Sequence, residues 1–151
     1  HSLPYLAMDT PETPRIDTAA EAFAAVALAA VACDGELAAL EARSLRQHLE
    51  FRQPFCTYSE RAMAELLDRL LAILRQQGCG ALVDQAAPHL RAEQSETALA
   101  VAASLTQADH VESSSEQSFL SQISDTLGVA PDRAAQIREV VALLNRDSLA
   151  S

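Results

Sequence analysis

Residues 22–33 read AFAAVALAAVAC, and this run of twelve positions without a charged or strongly polar side chain limits the possible folds more than any other feature. The run is too short to span a bilayer, which needs about 20 apolar residues. Acidic residues (Glu12, Asp17 and Glu21) precede it, where a signal peptide carries positive charge. A helix that is apolar on nearly all sides is buried on all sides. The run therefore predicts a central helix with other helices packed around it.

A second run of the same kind, TALAVAASL at residues 97–105, begins 75 positions further along the chain. Only four residues are Gly, while Ala, Leu, Glu, Gln and Arg are abundant, and this composition favours helix over sheet. Acidic residues recur at the same offset of 75, since Asp34 and Asp109 follow the two runs and Glu41 and Glu116 come seven positions later. We therefore predict an all-α fold, a seven-helix bundle built from two pseudo-symmetric three-helix halves joined by a short helix.

Apolar spacing and helix-boundary residues divide the chain into segments. The predicted helices lie at about residues 18–33, 37–51, 59–77, 81–87, 91–108, 113–127 and from 131 onward. Residues 1–17 contain three prolines and no sustained apolar period, so they are predicted to form an extended N-terminal arm. Residues 18–151 are enough for one hydrophobic core and are predicted to form a single domain.

Net charge restricts the partners that the chain can bind. It has 21 Asp and Glu against 11 Lys and Arg, a formal net charge of −10, so nucleic acid and anionic membranes are repelled on average. Cations and basic protein surfaces are attracted instead. No apolar stretch reaches the length of a membrane-spanning helix, so no direct membrane insertion is expected. The sequence does not specify the oligomeric state.

The cysteines and the missing motifs restrict the chemistry. Cys33, Cys56 and Cys79 are widely spaced, so neither a disulfide framework nor a structural zinc site is indicated, and a cytoplasmic setting is predicted. The chain also lacks the H-E-x-x-H, G-x-S-x-G, P-loop and G-x-G-x-x-G motifs, and we predict that it is not an enzyme. An alternative remains open, namely a small thiol-dependent redox or detoxification protein that uses Cys33 or Cys56.

Asp34 and Asp109 each end a predicted helix, where the negative end of the helix dipole disfavours a carboxylate. Two explanations are open. In the first, each Asp side chain accepts backbone N–H groups in the turn to the next helix. In the second, helix-end carbonyls and the carboxylates bind a divalent cation, Ca²⁺ or Mg²⁺, because hard cations prefer oxygen ligands. We predict that Asp34 lies close to Glu41 and Asp109 close to Glu116, and these four residues are the candidate metal ligands.

The two acidic segments, AVACDGELAALEARSL at residues 30–45 and QADHVESSSEQSFLSQISDTLG at residues 107–128, resemble the TerB-like family. That family includes the tellurite-resistance protein TerB and the N-terminal domain of the DjlA co-chaperone. The resemblance covers residues 18–146 and implies a seven-helix fold with internal pseudo-symmetry and no catalytic activity. It also implies a role in stress response and divalent-metal binding by the acidic motif residues. The second segment departs from the family at His110, where the family usually has Gly.

The resemblance to the TerB-like family also implies a function, namely a non-enzymatic bacterial stress-response adaptor domain of the tellurite-resistance kind. Its partner would be another protein or a divalent cation held by the paired acidic turns.

Overall fold

The computed structural model of the protein describes residues 13–32, 39–106 and 114–149. In these ranges every regular element is helical and no residue lies in a strand. The α-helices are α1 (Ala19–Val31), α2 (Ala39–Glu50), α3 (Glu60–Gln77), α4 (Cys79–Ala86), α5 (Ala92–Thr106), α6 (Ser114–Leu127) and α7 (Pro131–Leu144). Two short 3₁₀ helices, Phe55–Thr57 and Ala87–His89, lie between α2 and α3 and between α4 and α5. The prediction of an all-α, seven-helix bundle is confirmed.

Local sequence signals set most of the helix ends. The Ser59 hydroxyl accepts a backbone N–H from the first turn of α3 (3.0 Å), and Pro131 occupies the first turn of α7. The predicted start of α4 at residue 81 is wrong, because α4 begins at Cys79. Gly78 has a φ of +93°, which glycine adopts without the steric cost of a Cβ, and this one residue separates α3 from α4. Cys79 therefore belongs to the next helix rather than to the turn.

Helices α1 and α5 pack against each other at the centre of the bundle. Ala27 in α1 and Ala102 in α5 are 1 % and 0 % exposed, which agrees with the central helix predicted from the first apolar run and its counterpart at residues 97–105. Small side chains let the two backbones approach closely, and a closely packed interface leaves no room for a larger residue. The remaining helices surround this pair, since α2, α3 and α4 contact α1 while α6 and α7 contact α5.

The two predicted halves have corresponding contacts. In the first half α1 touches α2 and α3, and in the second half α5 touches α6 and α7. Leu45 and Leu120, which are 75 positions apart, are both buried in the hydrophobic core. Superposition of the halves motif on motif stays a prediction, because Asp34 and Asp109 lie outside the described residues.

Ahead of α1, residues 13–17 have no regular secondary structure. Ile16 is nevertheless buried, and its N–H lies 3.4 Å from Oε1 of Gln85 in α4. The core therefore takes a side chain from this segment as well as from all seven helices. Residues 1–12 of the predicted arm lie outside the described ranges. None of the helices described is long and apolar enough to cross a membrane.

Candidate functional site

The four acidic residues predicted to hold a cation lie mostly outside the described ranges. This applies to Asp34, to Asp109 and to the side chain of Glu116. Glu41 lies in the first turn of α2. Within residues 13–32, 39–106 and 114–149, no three His, Cys, Asp or Glu side chains are grouped so that they could hold a metal ion. The proximity of each Asp to its Glu therefore stays a prediction.

A cleft crosses one face of α5. It has two adjoining compartments of about 410 and 440 Å³, and Arg52 and Thr97 line both. Residues on one face of α5 form its floor: Glu93, Gln94, Glu96, Thr97, Ala100, Val101 and Ser104. At a rise of 1.5 Å per residue, the floor from Glu93 to Ser104 is about 16 Å long. We call this feature the α5 cleft, and it is long enough for three turns of a bound helix.

One compartment, the aromatic compartment, is lined by Phe23 of α1, Phe55 of the first 3₁₀ helix and Leu90. The ring centroids of Phe23 and Phe55 are 6.1 Å apart, and Tyr58 packs edge-on against Phe55 with 5.6 Å between centroids. The whole chain has four Phe, two Tyr and no Trp, so half of its aromatic residues cluster here. Because aromatic rings provide large, rigid apolar contact areas, this end of the cleft is suited to an apolar anchor.

Arg52 lies where the two compartments meet. Its guanidinium carbon is 5.5 Å from the centroid of the Phe23 ring, which is a cation–π distance. In the part of the chain that the structure describes, no carboxylate forms an ion pair with Arg52. Arg52 therefore presents an oriented positive charge to a molecule bound in the cleft.

The other compartment, the aliphatic compartment, lies between α5 and α7. Its apolar lining comes from both helices: Ala100, Val101, Ile137, Val141 and Leu144. Arg133, near the start of α7, pairs with Glu96 of α5 through two contacts, Nε to Oε2 at 3.1 Å and Nη2 to Oε1 at 3.4 Å. This bidentate pair joins the two helices and neutralises Glu96 within the cleft.

A chain of hydrogen bonds crosses the aliphatic compartment. His48 Nδ1 is 2.9 Å from the Ser44 carbonyl oxygen, which only accepts, so Nδ1 is the donor. His48 Nε2 is 3.2 Å from Ser104 Oγ, and in a neutral ring this nitrogen accepts the Ser104 hydroxyl proton. Asn145 Nδ2 then donates to Ser104 Oγ over 3.5 Å. These bonds connect α2, α5 and the end of α7, and they place further polar atoms beside the apolar lining of the compartment.

Glu21 is a buried carboxylate at the start of α1. Its Oε1 accepts the Thr18 N–H (3.1 Å), and Thr18 Oγ1 accepts the Glu21 N–H (3.1 Å), which together form a capping box. Its Oε2 pairs with Arg69 of α3. In the second half, Glu96 lies 75 positions later and pairs with Arg133 of α7. Each half therefore joins its first helix to its third helix by a Glu–Arg pair.

The cysteines differ in accessibility. Cys56 is exposed within the first 3₁₀ helix, and Cys79 is buried with its Sγ 3.7 Å from the Ala29 carbonyl oxygen. Cys33 lies outside the described residues. Of the two thiols named for the alternative redox function, Cys56 is therefore the one whose accessibility the structure describes.

The α5 cleft was not predicted from the sequence. Among the seven polar residues of α5, Gln94, Thr97 and Ser104 follow one another at spacings of three and seven, which places them on one face. That spacing indicates a partly open strip along α5. Arg52 and His48 have no comparable signal, because they reach the cleft only through the packing of helices distant in sequence.

Comparison of the chain with protein-family models, with curated proteins and with solved structures finds no match in any of the three. The resemblance to the TerB-like family therefore depends on the two acidic segments alone and stays a prediction.

Proposed function

We propose that this chain is a non-enzymatic adaptor domain that binds a segment of a partner protein in the α5 cleft. Ligand sites in proteins are concave and mostly apolar, with a few polar groups that orient the ligand. Each compartment of the α5 cleft has this character and a volume of about 410 or 440 Å³. Two compartments in series favour an elongated ligand such as a peptide over a single small molecule.

The stress-response setting and the divalent cation belong to the same proposal. They derive from the acidic segments that resemble the TerB-like family, with Asp34, Glu41, Asp109 and Glu116 as ligands for Ca²⁺ or Mg²⁺. An adaptor with a peptide cleft and a cation site at its helix turns would couple partner binding to ion concentration. A cytoplasmic location is consistent with this role.

The test of the adaptor function is selection of binding peptides from a displayed random library. Peptides of about 16 residues exceed the eleven helical residues that cover the floor of the cleft. Thr97 lines both compartments, so Thr97→Trp fills the cleft where the two meet. Gln76→Trp, on an exposed position of α3, is the matched control. Selected peptides are expected to bind Thr97→Trp about tenfold or more weakly and to bind Gln76→Trp as they bind the wild type.

Circular dichroism melting of both variants establishes that they are folded. Peptides that bind all three proteins equally would show that the α5 cleft is not the binding site.

A further inference from the structure

We propose that the α5 cleft selects a helical partner segment with two apolar side chains seven positions apart and a carboxylate between them, and that Arg52 binds this carboxylate. The inference depends on the proposed adaptor function and adds the chemistry of the partner. Its three parts are the spacing of the apolar anchors, the charge between them, and the low charge of the surrounding surface.

The spacing of the anchors follows from the floor of the cleft. On the floor of the cleft, Gln94 lines only the aromatic compartment and Val101 lines only the aliphatic compartment. These two positions are seven residues apart, which is about 10.5 Å along the helix axis. Two side chains at positions i and i+7 of a bound helix span the same distance. Helices that lie in apolar grooves use anchors at such spacings.

The charge follows from Arg52. It lines both compartments, so a group that contacts it lies between the two anchors. Stacking over Phe23 holds the guanidinium in place, so less side-chain entropy is lost when it binds a ligand. Glu93 lines only the aromatic compartment, and Glu96 is already paired with Arg133. A guanidinium forms two parallel hydrogen bonds with a carboxylate, so a carboxylate is its best-matched partner.

The charge of the surrounding surface is compatible with a single carboxylate in the partner segment but not with several acidic residues in succession. The net charge of the whole chain is −10, which repels acidic segments at long range. From Ala39 to Arg52, however, the chain has three Arg and two Glu, and residues 131–147 have three Arg and three acidic residues. The two sides of the cleft that α2 and α7 form are therefore close to neutral. A partner segment with one central carboxylate and low net charge fits both conditions.

The experiment begins from the peptides selected above that bind wild type and fail to bind Thr97→Trp. They are expected to share apolar residues at i and i+7 with Asp or Glu at i+3 or i+4. For the tightest peptide, we combine Arg52→Gln in the protein with replacement of the carboxylate by its amide in the peptide. Each single change is expected to raise Kd about three- to tenfold, and the double change no more than either one alone.

Two further variants separate the effect of the lost charge from the effect of the lost guanidinium geometry. Arg61→Gln removes an exposed Arg on α3 and changes the net charge equally, and it is expected to leave Kd unchanged. Arg52→Lys keeps the charge but loses the planar fork, and it is expected to bind between wild type and Arg52→Gln.

The outcomes distinguish this inference from the adaptor function. Three results with cleft-dependent peptides would overturn the inference and leave the adaptor function standing. The peptides could share no carboxylate, they could carry a basic residue at its position, or they could bind Arg52→Gln as tightly as they bind the wild type. Recovery of no peptide sensitive to Thr97→Trp would overturn both.

Discussion

Replacing Glu21 with Ala should destabilise the protein far more than the same change at Glu96, although both residues pair with an Arg of the third helix in their half. The Glu21 side chain is 11 % exposed, accepts two backbone N–H groups ahead of α1 and pairs with Arg69. The Glu96 side chain is 34 % exposed and pairs with Arg133, whose side chain is 55 % exposed. The two sites therefore differ in burial and in capping, while the type of ion pair is the same.

The magnitudes follow from these contacts. Loss of a helix N-cap interaction costs about 1 kcal/mol. The ion pair with Arg69, whose side chain is 48 % exposed, adds no more than about 1 kcal/mol because solvent screens it. Glu21→Ala is therefore expected to cost about 2 kcal/mol, a fall in Tm of about 4–8 °C for a chain of this length. Glu96→Ala loses only a surface pair, which contributes less than about 1 kcal/mol.

The assay is urea-induced unfolding monitored by far-ultraviolet circular dichroism. All variants are fitted with one shared m-value, which is the slope of the free energy of unfolding against urea concentration. Thr18→Ala removes one side of the capping box and keeps the ion pair, so it should cost about 1 kcal/mol. Glu21→Gln keeps an oxygen acceptor and removes the charge, so its loss should be smaller than that of Glu21→Ala. Equal losses for Glu21→Ala and Glu96→Ala would refute the reasoning, because burial and capping would then contribute nothing.

Three other predictions concern the core, the acidic turns and the exposed thiol. Ala27→Leu should overpack the interface of α1 and α5 and cost about 1–3 kcal/mol in urea unfolding, whereas Ala135→Leu on the exposed side of α7 should be nearly neutral. If the acidic turns bind a cation, millimolar Ca²⁺ or Mg²⁺ should raise the Tm of the wild type by mass action but should not raise the Tm of Asp34→Asn/Asp109→Asn. If neither ion changes the wild-type Tm and the double variant is equally stable, the result would support turn capping instead. Cys56 should react with a thiol reagent at neutral pH no faster than a free cysteine, with Cys56→Ser as control, and a rate about tenfold higher would favour the redox alternative.

Helix positions could be predicted well from the sequence because their causes are local. A Ser at residue 59, a Pro at residue 131 and apolar residues at helical spacing act within one or two turns of the chain. The failure at the start of α4 has an equally local cause, since Gly78 alone makes the turn that was expected to take three residues. The central position of α1 and α5 was predictable as well, because the apolar runs at residues 22–33 and 97–105 contain no charged side chain to present to water.

Some residues of the Glu–Arg pairs could be recognised in the sequence by their spacing, but the sequence did not show which residues they pair with. The acid at residue 21 and its counterpart at residue 96 can be matched by their offset, and Thr18-x-x-Glu21 is a recognisable capping box. Their Arg partners lie 48 and 37 positions further on, and no spacing rule selects them from the other arginines of the chain.

The sequence by itself determined that the described part of the chain is helical, where most of its helices begin and end, and which two of them are central. Tertiary structure alone decided that α2 and α7 flank α5, that Arg52 reaches Phe23, and that an open strip remains along α5. The physical reason is the range of the interactions. Helix formation depends on backbone hydrogen bonds and side chains within about four positions of each other. A cleft depends on how side chains of helices 40 to 50 residues apart interlock, and many crossing geometries satisfy the same apolar pattern.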